Sequence, residues 1–379
     1  MRIPASYSLR NLQVRKITTT MTALGTTLSV AVLVSVLAVV DGLHSSIRIT
    51  GDPDHLLILR NGSTSELVSL ITRQNFRDIL SHSGIRKASL EMVTLVSLEQ
   101  RRGDDLNVNL RGISAAGWEM RKDLRLLSGR MFRAGLREIV VGKAIADKCS
   151  AARVGGILDF GNGPWQIVGV MDAGRSAFNS EIFADVDQVS ADSRRSNLLS
   201  SVLVEAEPGK LDALARSLHD DLRLDILVQP EVQYYEKQMA SAMPVQFMGT
   251  LAALIMAAGC AFAGMNTMYA AVARRSSEIA VLRVLGFSRR SVLVSFLFES
   301  VVISALGGGI GCLLTLPLNN IETTLGSFST WSQLSFNLRV TPAIAMTGLL
   351  FAAAIGAVGG FLPAYRAANR QIIDSLRAH

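Results

Sequence analysis

Four long stretches of this chain are almost free of charge, and no other feature limits its fold as strongly. Ile17 to Val40 holds 24 uncharged residues and Gln238 to Ala273 holds 36; Val340 to Tyr365 is also uncharged, and Ser291 to Leu316 is broken only by Glu299. A helix rises about 1.5 Å per residue, so about 20 residues cross the roughly 30 Å hydrocarbon core of a bilayer. In lipid the backbone polar groups must pair within their own segment, which a helix achieves by itself. The first stretch outruns the 7–15-residue apolar core (about that length) of a secretory signal, and "SVLAVVDGL" offers no small-x-small cleavage site. It reads as an uncleaved anchor. Pro342 suits the first turn of the last helix; the over-long second stretch either starts as a stalk outside the membrane or is not helical in its first part, with Pro244 placed as a break.

Charge sets the expected orientation. Of the 38 Lys and Arg and 31 Asp and Glu, segments 1–19, 274–290 and 364–379 hold twelve and two, leaving 26 and 29 elsewhere. Basic residues concentrate on the cytoplasmic side of membrane proteins, so these three segments are expected inside. The net charge of +7 then reflects topology and implies no nucleic acid. The expected order is a cytoplasmic segment 1–19, span 1 at 20–41, an outside domain 42–243, span 2 at 244–273, a cytoplasmic loop 274–290, span 3 at 291–316, a short outside loop 317–340, span 4 at 341–363 and a cytoplasmic tail 364–379.

The outside domain reads as mixed α/β. "DHLLILR" is an extended run, and "TSELVSLITRQNFRDILSH" places Leu67, Leu70, Ile71 and Ile79 at helical spacing. "LEMVTLVSLEQ" and "DLNVNLRGI" flank the turn "RRGD", and "ILDFGNGPWQIVGVMD" is a second hairpin closed around "GNGP". "REIVVGKAIADK" predicts a strand, Gly142 and a helix; residues 198–229 predict strand, helix, strand.

No catalytic constellation is written in the chain. The histidines at 44, 55, 82, 219 and 379 are scattered, without HExxH or other metal spacing, and "HDD" at 219–221 fits the solvated side of a helix. Cys149, Cys260 and Cys312 form no framework; a lone cysteine in the outside domain suits a bacterial periplasm or cell surface. There is no GxSxG and no GxxxxGK[ST], so neither a nucleophile elbow nor a phosphate cradle is expected. The expected sites are catalytic none, cofactor none and metal none.

The informative segment is "RRSSEIAVLRVLGFSRR", 274–290. As a helix it carries Ile279, Leu282 and Leu285 or Gly286 at steps of three to four, with Glu278 and Arg283 beside them and Arg275 near its start. Gly286 is placed to stop it. A loop serving only topology needs no apolar stripe, internal acid or glycine stop. Such a helix lies on lipid headgroups or docks in a partner's groove. Small residues recur at Gly249, Ala253, Ala257 and Ala261, at Gly307/Gly311 and at Gly356/Gly360, letting helices approach closely within one subunit or across a dimer seam. Glu299, an acid within a span, is expected to bond a neighbouring helix or the 274–290 loop, with an ion role as the alternative.

"RRSSEIAVLRVLGFSRRSVLVSFLFESVVISALGGGIG" resembles the central signature of FtsX-like and macrolide-exporter (MacB-type) ABC transporter permeases, where an "EIGvLRAlGaS" helix joins the second and third spans. "SLRNL" before span 1, "LSGRMF…REIVVGKAIA" in the outside domain and "LPAYRAANRQIIDSLR" at the end extend the likeness; Ala280 stands where the family often has glycine. The resemblance implies four transmembrane helices, a mixed α/β periplasmic domain between helices 1 and 2, and a multi-pass protein of the bacterial inner membrane with both termini cytoplasmic. It implies that Arg275, Glu278, Ile279, Leu282, Arg283, Leu285 and Gly286 couple the chain to a cytoplasmic ABC ATPase on a separate subunit. ATP and magnesium would sit there, with no cofactor and no enzymatic activity in this chain. Membrane lipid, a second copy of the chain and a periplasmic adaptor protein are the other implied partners. Two functions follow: export of an amphiphilic substrate by mechanotransmission, or an FtsX-type relay that activates a periplasmic cell-wall enzyme without transport.

Overall fold

The computed structural model describes residues 16–99, 105–149, 151–174, 176–238, 243–326 and 333–369. It divides into two units: helices from residues up to 41, 244–321 and 338 onward, and a sheet unit of Gly42–Met243 with Glu322–Asn337.

Helix α1 (Lys16–Thr50) outruns the expected span 1 by nine residues at its C-terminal end, and these fall in the sheet unit. β1 (His55–Arg60) follows, then β2 (Ile71–Thr72) and α2 (Arg73–Leu80). The helix expected across 64–82 is thus confined to its second half. The Thr72 hydroxyl accepts the Asn75 amide at 3.2 Å and starts the helix there, while Ile71 pairs with Leu199 in a short strand. Leu67 and Leu70 stay outside α2 because Glu66, just before them, is drawn into a buried ionic cluster.

β3 (Ile85–Glu99) and β4 (Asp105–Ile113) form the expected antiparallel hairpin, in register from Glu91↔Ile113 to Glu99↔Asp105; the "RRGD" turn lies outside the described residues. Next come α3 (Ala115–Met120), β5 (Arg125–Gly129), β6 (Glu138–Gly142) and α4 (Lys143–Lys148), the last two being the expected strand–Gly142–helix. β7 (Ile157–Phe160) and β8 (Gly163–Asp172) turn through Gly161 and Asn162, as the "GNGP" reading required. β9 (Glu181–Asp185), α5 (Val186–Asp192), β10 (Leu198–Leu199), β11 (Ser201–Ala206), α6 (Leu211–His219), β12 (Ile226–Pro230) and α7 (Glu231–Gln238) complete this stretch.

The large sheet runs β12-β1-β11-β3-β4-β9-β6-β8-β5, with β7 beside β8. β11 and β12, joined by α6, flank β1 on opposite sides and both run antiparallel to it. The strand–helix–strand unit read from sequence is therefore split by the first strand of the domain. Strands β6, β9 and β11 are buried at every position, and Leu214 and Leu218 of α6 and Ile79 of α2 pack into the same core.

Inside this unit lies a cluster of five charges. The Arg111 guanidinium, 2% exposed, grips Glu66 with two hydrogen bonds of 2.9 Å, Glu91 at 2.7 Å and Glu181 at 2.7 and 3.2 Å. Arg121 donates to Glu91 at 2.9 Å and to the Gly117 carbonyl at 3.0 Å, and its guanidinium lies 4.8 Å from the centroid of the Phe178 ring. Ser201 donates to Glu66 at 2.6 Å. Burial raises the Glu66 pKa most, but Arg111, Ser201 and Arg121 together outweigh it and hold the carboxyl below its ordinary range. For Glu91 burial wins: despite Arg121 and Arg111, desolvation and the neighbouring Glu66 charge keep it above that range. Three carboxylates face two guanidiniums, so a carboxyl that holds its proton more readily lowers the excess buried negative charge.

The helical unit contains α8 (Met243–Arg274), α9 (Ser276–Val284), α10 (Arg289–Thr315) and α11 (Pro342–Asn369). Among the described residues four helical stretches are long and apolar enough to cross a membrane: Thr20–Thr50, Gln246–Arg274, Arg289–Asn319 and Pro342–Asn369. α8 starts one residue before Pro244, which sits in its first turn, where proline costs no hydrogen bond. The last helix continues through Pro363 to Asn369, six residues past the expected end of span 4. Between α10 and α11, the stretch read as a plain loop contains an antiparallel hairpin, β13 (Glu322–Gly326) and β14 (Gln333–Asn337), grouped with the sheet unit. A Cβ on Gly42 would stand 2.4 Å from the Asn337 carbonyl oxygen, so the hairpin approaches closely where glycine leaves room.

Candidate coupling site

α9 is built as the 274–290 segment foretold, a short helix with a glycine stop. Gly286 has φ +92°, and its amide donates to the Arg283 carbonyl at 3.1 Å. This left-handed conformation suits glycine because it has no Cβ to clash. The Ser288 hydroxyl then accepts the Ser291 amide at 3.2 Å and caps α10.

The expected stripe of Ile279, Leu282 and Leu285 is not one face. Each step of three residues turns the helix back by roughly 60°, so two steps carry Ile279 and Leu285 to different sides. Ile279 is 4% exposed and Ala280 is 3% exposed. Ile279 packs with Met268 and Val272 of α8, Val292 and Phe296 of α10, and Ala364, Ala367 and Ala368 of α11. It anchors α9 to the spans and does not face a partner. Arg283 is half-buried and donates to the Phe287 carbonyl at 3.3 Å. The exposed apolar face is Val281, Val284 and Leu285, at 52%, 65% and 64%. Of these, sequence reasoning had named only Leu285. The side chains of Glu278 and Leu282 lie outside the described residues.

Arg275, the residue before α9, is buried, and its Nη1 lies 3.4 Å from Oε2 of Glu299 in α10. The acid within a span is therefore paired with the 274–290 loop, one of the partners expected from sequence. Arg275, Ile279 and Arg283 recur at steps of four, the spacing that keeps residues on one face, but Ala280 and Val284 share that spacing with one buried and the other exposed, so the spacing does not by itself tell the inner face from the outer.

The small residues are used within the chain. At Gly249 a Cβ would stand 2.5 Å from Val36 of α1, and Ala253 is fully buried. Ala257 and Ala261 pack with Ile355 of α11. At Gly307 a Cβ would meet Thr26 at 2.2 Å and the Ala23 carbonyl at 2.5 Å, and at Gly311 the Thr27 carbonyl at 2.7 Å. Gly356 and Gly360 face Ser300 and Ser304 of α10 in the same way, and Ser300 donates to the Gly356 carbonyl at 2.7 Å. Gly309, two residues from Gly307, has open space around it. Gly307→Ala is expected to cost about 1–3 kcal/mol of overpacking and Gly309→Ala to have little effect. Thermal unfolding of the two variants in detergent checks this.

Four apolar helices with a mixed α/β domain inserted between the first two define a class of multi-pass membrane protein. The family model of the MacB-like periplasmic core domain matches residues 19–220, and that of the FtsX-like permease C-terminal matches residues 250–372. The chain belongs to the FtsX/MacB-type family of ABC transporter permeases.

Among its relatives is the macrolide export ATP-binding/permease protein MacB of Brucella melitensis, 25% identical, the match covering 96% of this chain and 58% of that protein. The protein of the same name from Marinobacter nauticus is 24% identical, over 97% of this chain and 60% of that one. The chain thus spans about three fifths of the length of these two MacB relatives. An uncharacterized ABC transporter permease of Bacillus subtilis, YvrN, is 33% identical over 30% of this chain and 26% of its own. A solved structure of the periplasmic region of MacB from Actinobacillus actinomycetemcomitans aligns at 14% identity and TM-score 0.38, covering 51% of this chain and 96% of that one.

Proposed function

We propose that this chain is the permease subunit of an ATP-driven exporter, with α9 as the element that receives an ABC ATPase carried on a separate cytoplasmic subunit. The observation that carries the reading is the division of α9 into two faces. Ile279 and Ala280 are fixed among the spans, while Val281, Val284 and Leu285 project an apolar patch. A helix presenting i, i+3 and i+4 apolar residues outward is the pattern that docks in a hydrophobic groove. Exposed Arg274, Arg289 and Arg290 flank the patch and favour a groove with an acidic rim.

Movement of the ATPases on binding ATP is passed through α9 to the spans and from there to the periplasmic domain, which handles an amphiphilic substrate outside the membrane. ATP and magnesium are bound by the ATPase, and this subunit performs no chemistry of its own. A second copy of the chain completes the transporter in the bacterial inner membrane, with a periplasmic adaptor as a further partner. Both termini and α9 lie in the cytoplasm, in keeping with the twelve basic residues concentrated there. The MacB relatives favour export over the relay of motion to a cell-wall enzyme.

Two measurements test this. A tagged chain purified from native membranes is expected to bring an ATPase with it in near-equal amount; recovery of the chain alone would count against the reading. A cysteine at Asn61 is expected to react with an impermeant reagent added outside, and one at Ser277 is not; the reverse pattern overturns the orientation.

A further inference from the structure

We propose that the Arg275–Glu299 pair fastens α9 to α10, so that α9 moves as a rigid part of the third span instead of as a helix hinged at its two ends. The part of this inference that concerns transmitted force rests on the reading above; the fastening itself does not.

α9 has only nine residues, and isolated helices shorter than about 12–15 residues are marginal in water. Its connections to the neighbouring helices are short. Arg275 alone separates it from α8, and Gly286, with open space around it and φ +92°, lies in the link to α10. Ile279 and Ala280 supply apolar packing on the inner face, but apolar contacts are non-directional and permit sliding. The ionic pair adds direction. Both partners are over nine-tenths buried, at 8% and 7% exposure. Removing one partner from a buried pair is strongly destabilising, whereas the intact pair holds its two groups at a set distance. The pair ties Arg275, just before α9, to a position ten residues into α10. Glu299 has a guanidinium partner at 3.4 Å, an arrangement that favours a structural tie over an ion pathway.

The test uses the full chain in lipid nanodiscs, first with no ATPase present. In Glu299→Gln, amide exchange of residues 279–285 is expected to quicken by about tenfold or more through local opening, while β1 and β11 exchange as in the parent. The reversed pair, Arg275→Glu with Glu299→Arg, is expected to bring that exchange back to within about threefold of the parent, as coupled residues do in a double-mutant cycle. Unchanged exchange in Glu299→Gln, or failure of the reversed pair to restore it, overturns the proposal.

The second stage uses the chain with whatever ATPase co-purifies. Glu299→Gln is expected to hold the ATPase in the parent's ratio but to lose the ATP-dependent signal of a fluorescent label on the periplasmic domain, with recovery in the reversed pair. If exchange behaves as expected but the parent holds no ATPase, the fastening stands and the coupling reading fails. If the ATPase is held and the label still responds normally in Glu299→Gln, the proposed part in transmission is overturned.

Discussion

Replacing Arg111 with methionine is expected to cost the sheet domain several kcal/mol, a large share of its stability. Arg111 reaches all three carboxylates, Glu66, Glu91 and Glu181, which come from the loop before β2, from β3 and from the start of β9. Removing one member of a buried ionic cluster costs about 3–5 kcal/mol, set against a total stability of about 5–15 kcal/mol for a typical domain. Arg111→Lys keeps the charge but not the fork that serves three carboxylates, and an intermediate loss is expected. Thermal unfolding with limited proteolysis of the full chain reads both. A domain that melts within about 2 °C of the parent in Arg111→Met, less than 1 kcal/mol for its size, would show that the cluster contributes little.

The same cluster gives stability an acid dependence. Glu66 is held below its ordinary value of 4.5, so it binds a proton less readily folded than unfolded. The stability it contributes is fully present above that value and is lost as pH falls through the lowered one. Glu91, held above 4.5, acts in the opposite sense: its contribution is present below that value and fades as pH rises through the raised one. In Arg111→Met the main attraction holding Glu66 down is gone while burial still pushes it up, so the Glu66 part of the pH dependence is expected to reverse its sign.

The second large effect is expected from Val284→Asp with Leu285→Asp. Both side chains are about two-thirds exposed, so the folded chain should tolerate the change and its melting temperature should hold. A groove that covers them would lose about 1.5–3 kcal/mol of apolar burial per side chain and would have to desolvate two carboxylates. Together these amount to at least a thousandfold in affinity, which is loss of the proposed ATPase partner during purification. Retention of the ATPase in parent-like amount would remove α9 from the contact. Ile279→Asp tests nothing of the kind, because it would break the packing that holds α9 in place.

The choice between Ile279 and Leu285 shows how far the sequence reached at this site. That 274–290 is a helix with a glycine stop was legible, because caps and positive-φ glycines are local requirements. Which side faces outward was not, because a nine-residue helix offers barely two turns of periodicity and its apolar residues lie on both faces. The partner of Glu299 was legible only as a class; the distance to Arg275 comes from packing. In the sheet domain the hairpins were readable from turn residues and alternating strands. Glu66, Glu91, Arg111 and Glu181 sat in the sequence as ordinary charged residues, and no local pattern marks them as buried. The false helix over 64–70 has the same origin: apolar spacing favoured a helix, and the tertiary demand on Glu66 overrode it.

Four membrane helices, the inserted α/β domain and the motif-bearing loop were determined by sequence alone, because each depends on hydropathy, periodicity and turn chemistry within one segment. The tertiary structure decided the rest. It split β11 and β12 around β1, gathered five charges into the core, placed the 322–337 hairpin with the sheet unit, spent the small-residue stripes on packing within the chain, and turned Ile279 inward and Leu285 outward. Each of these depends on which distant segments come into contact, and contact between distant segments sets the cost of burying a charge or the room for a Cβ.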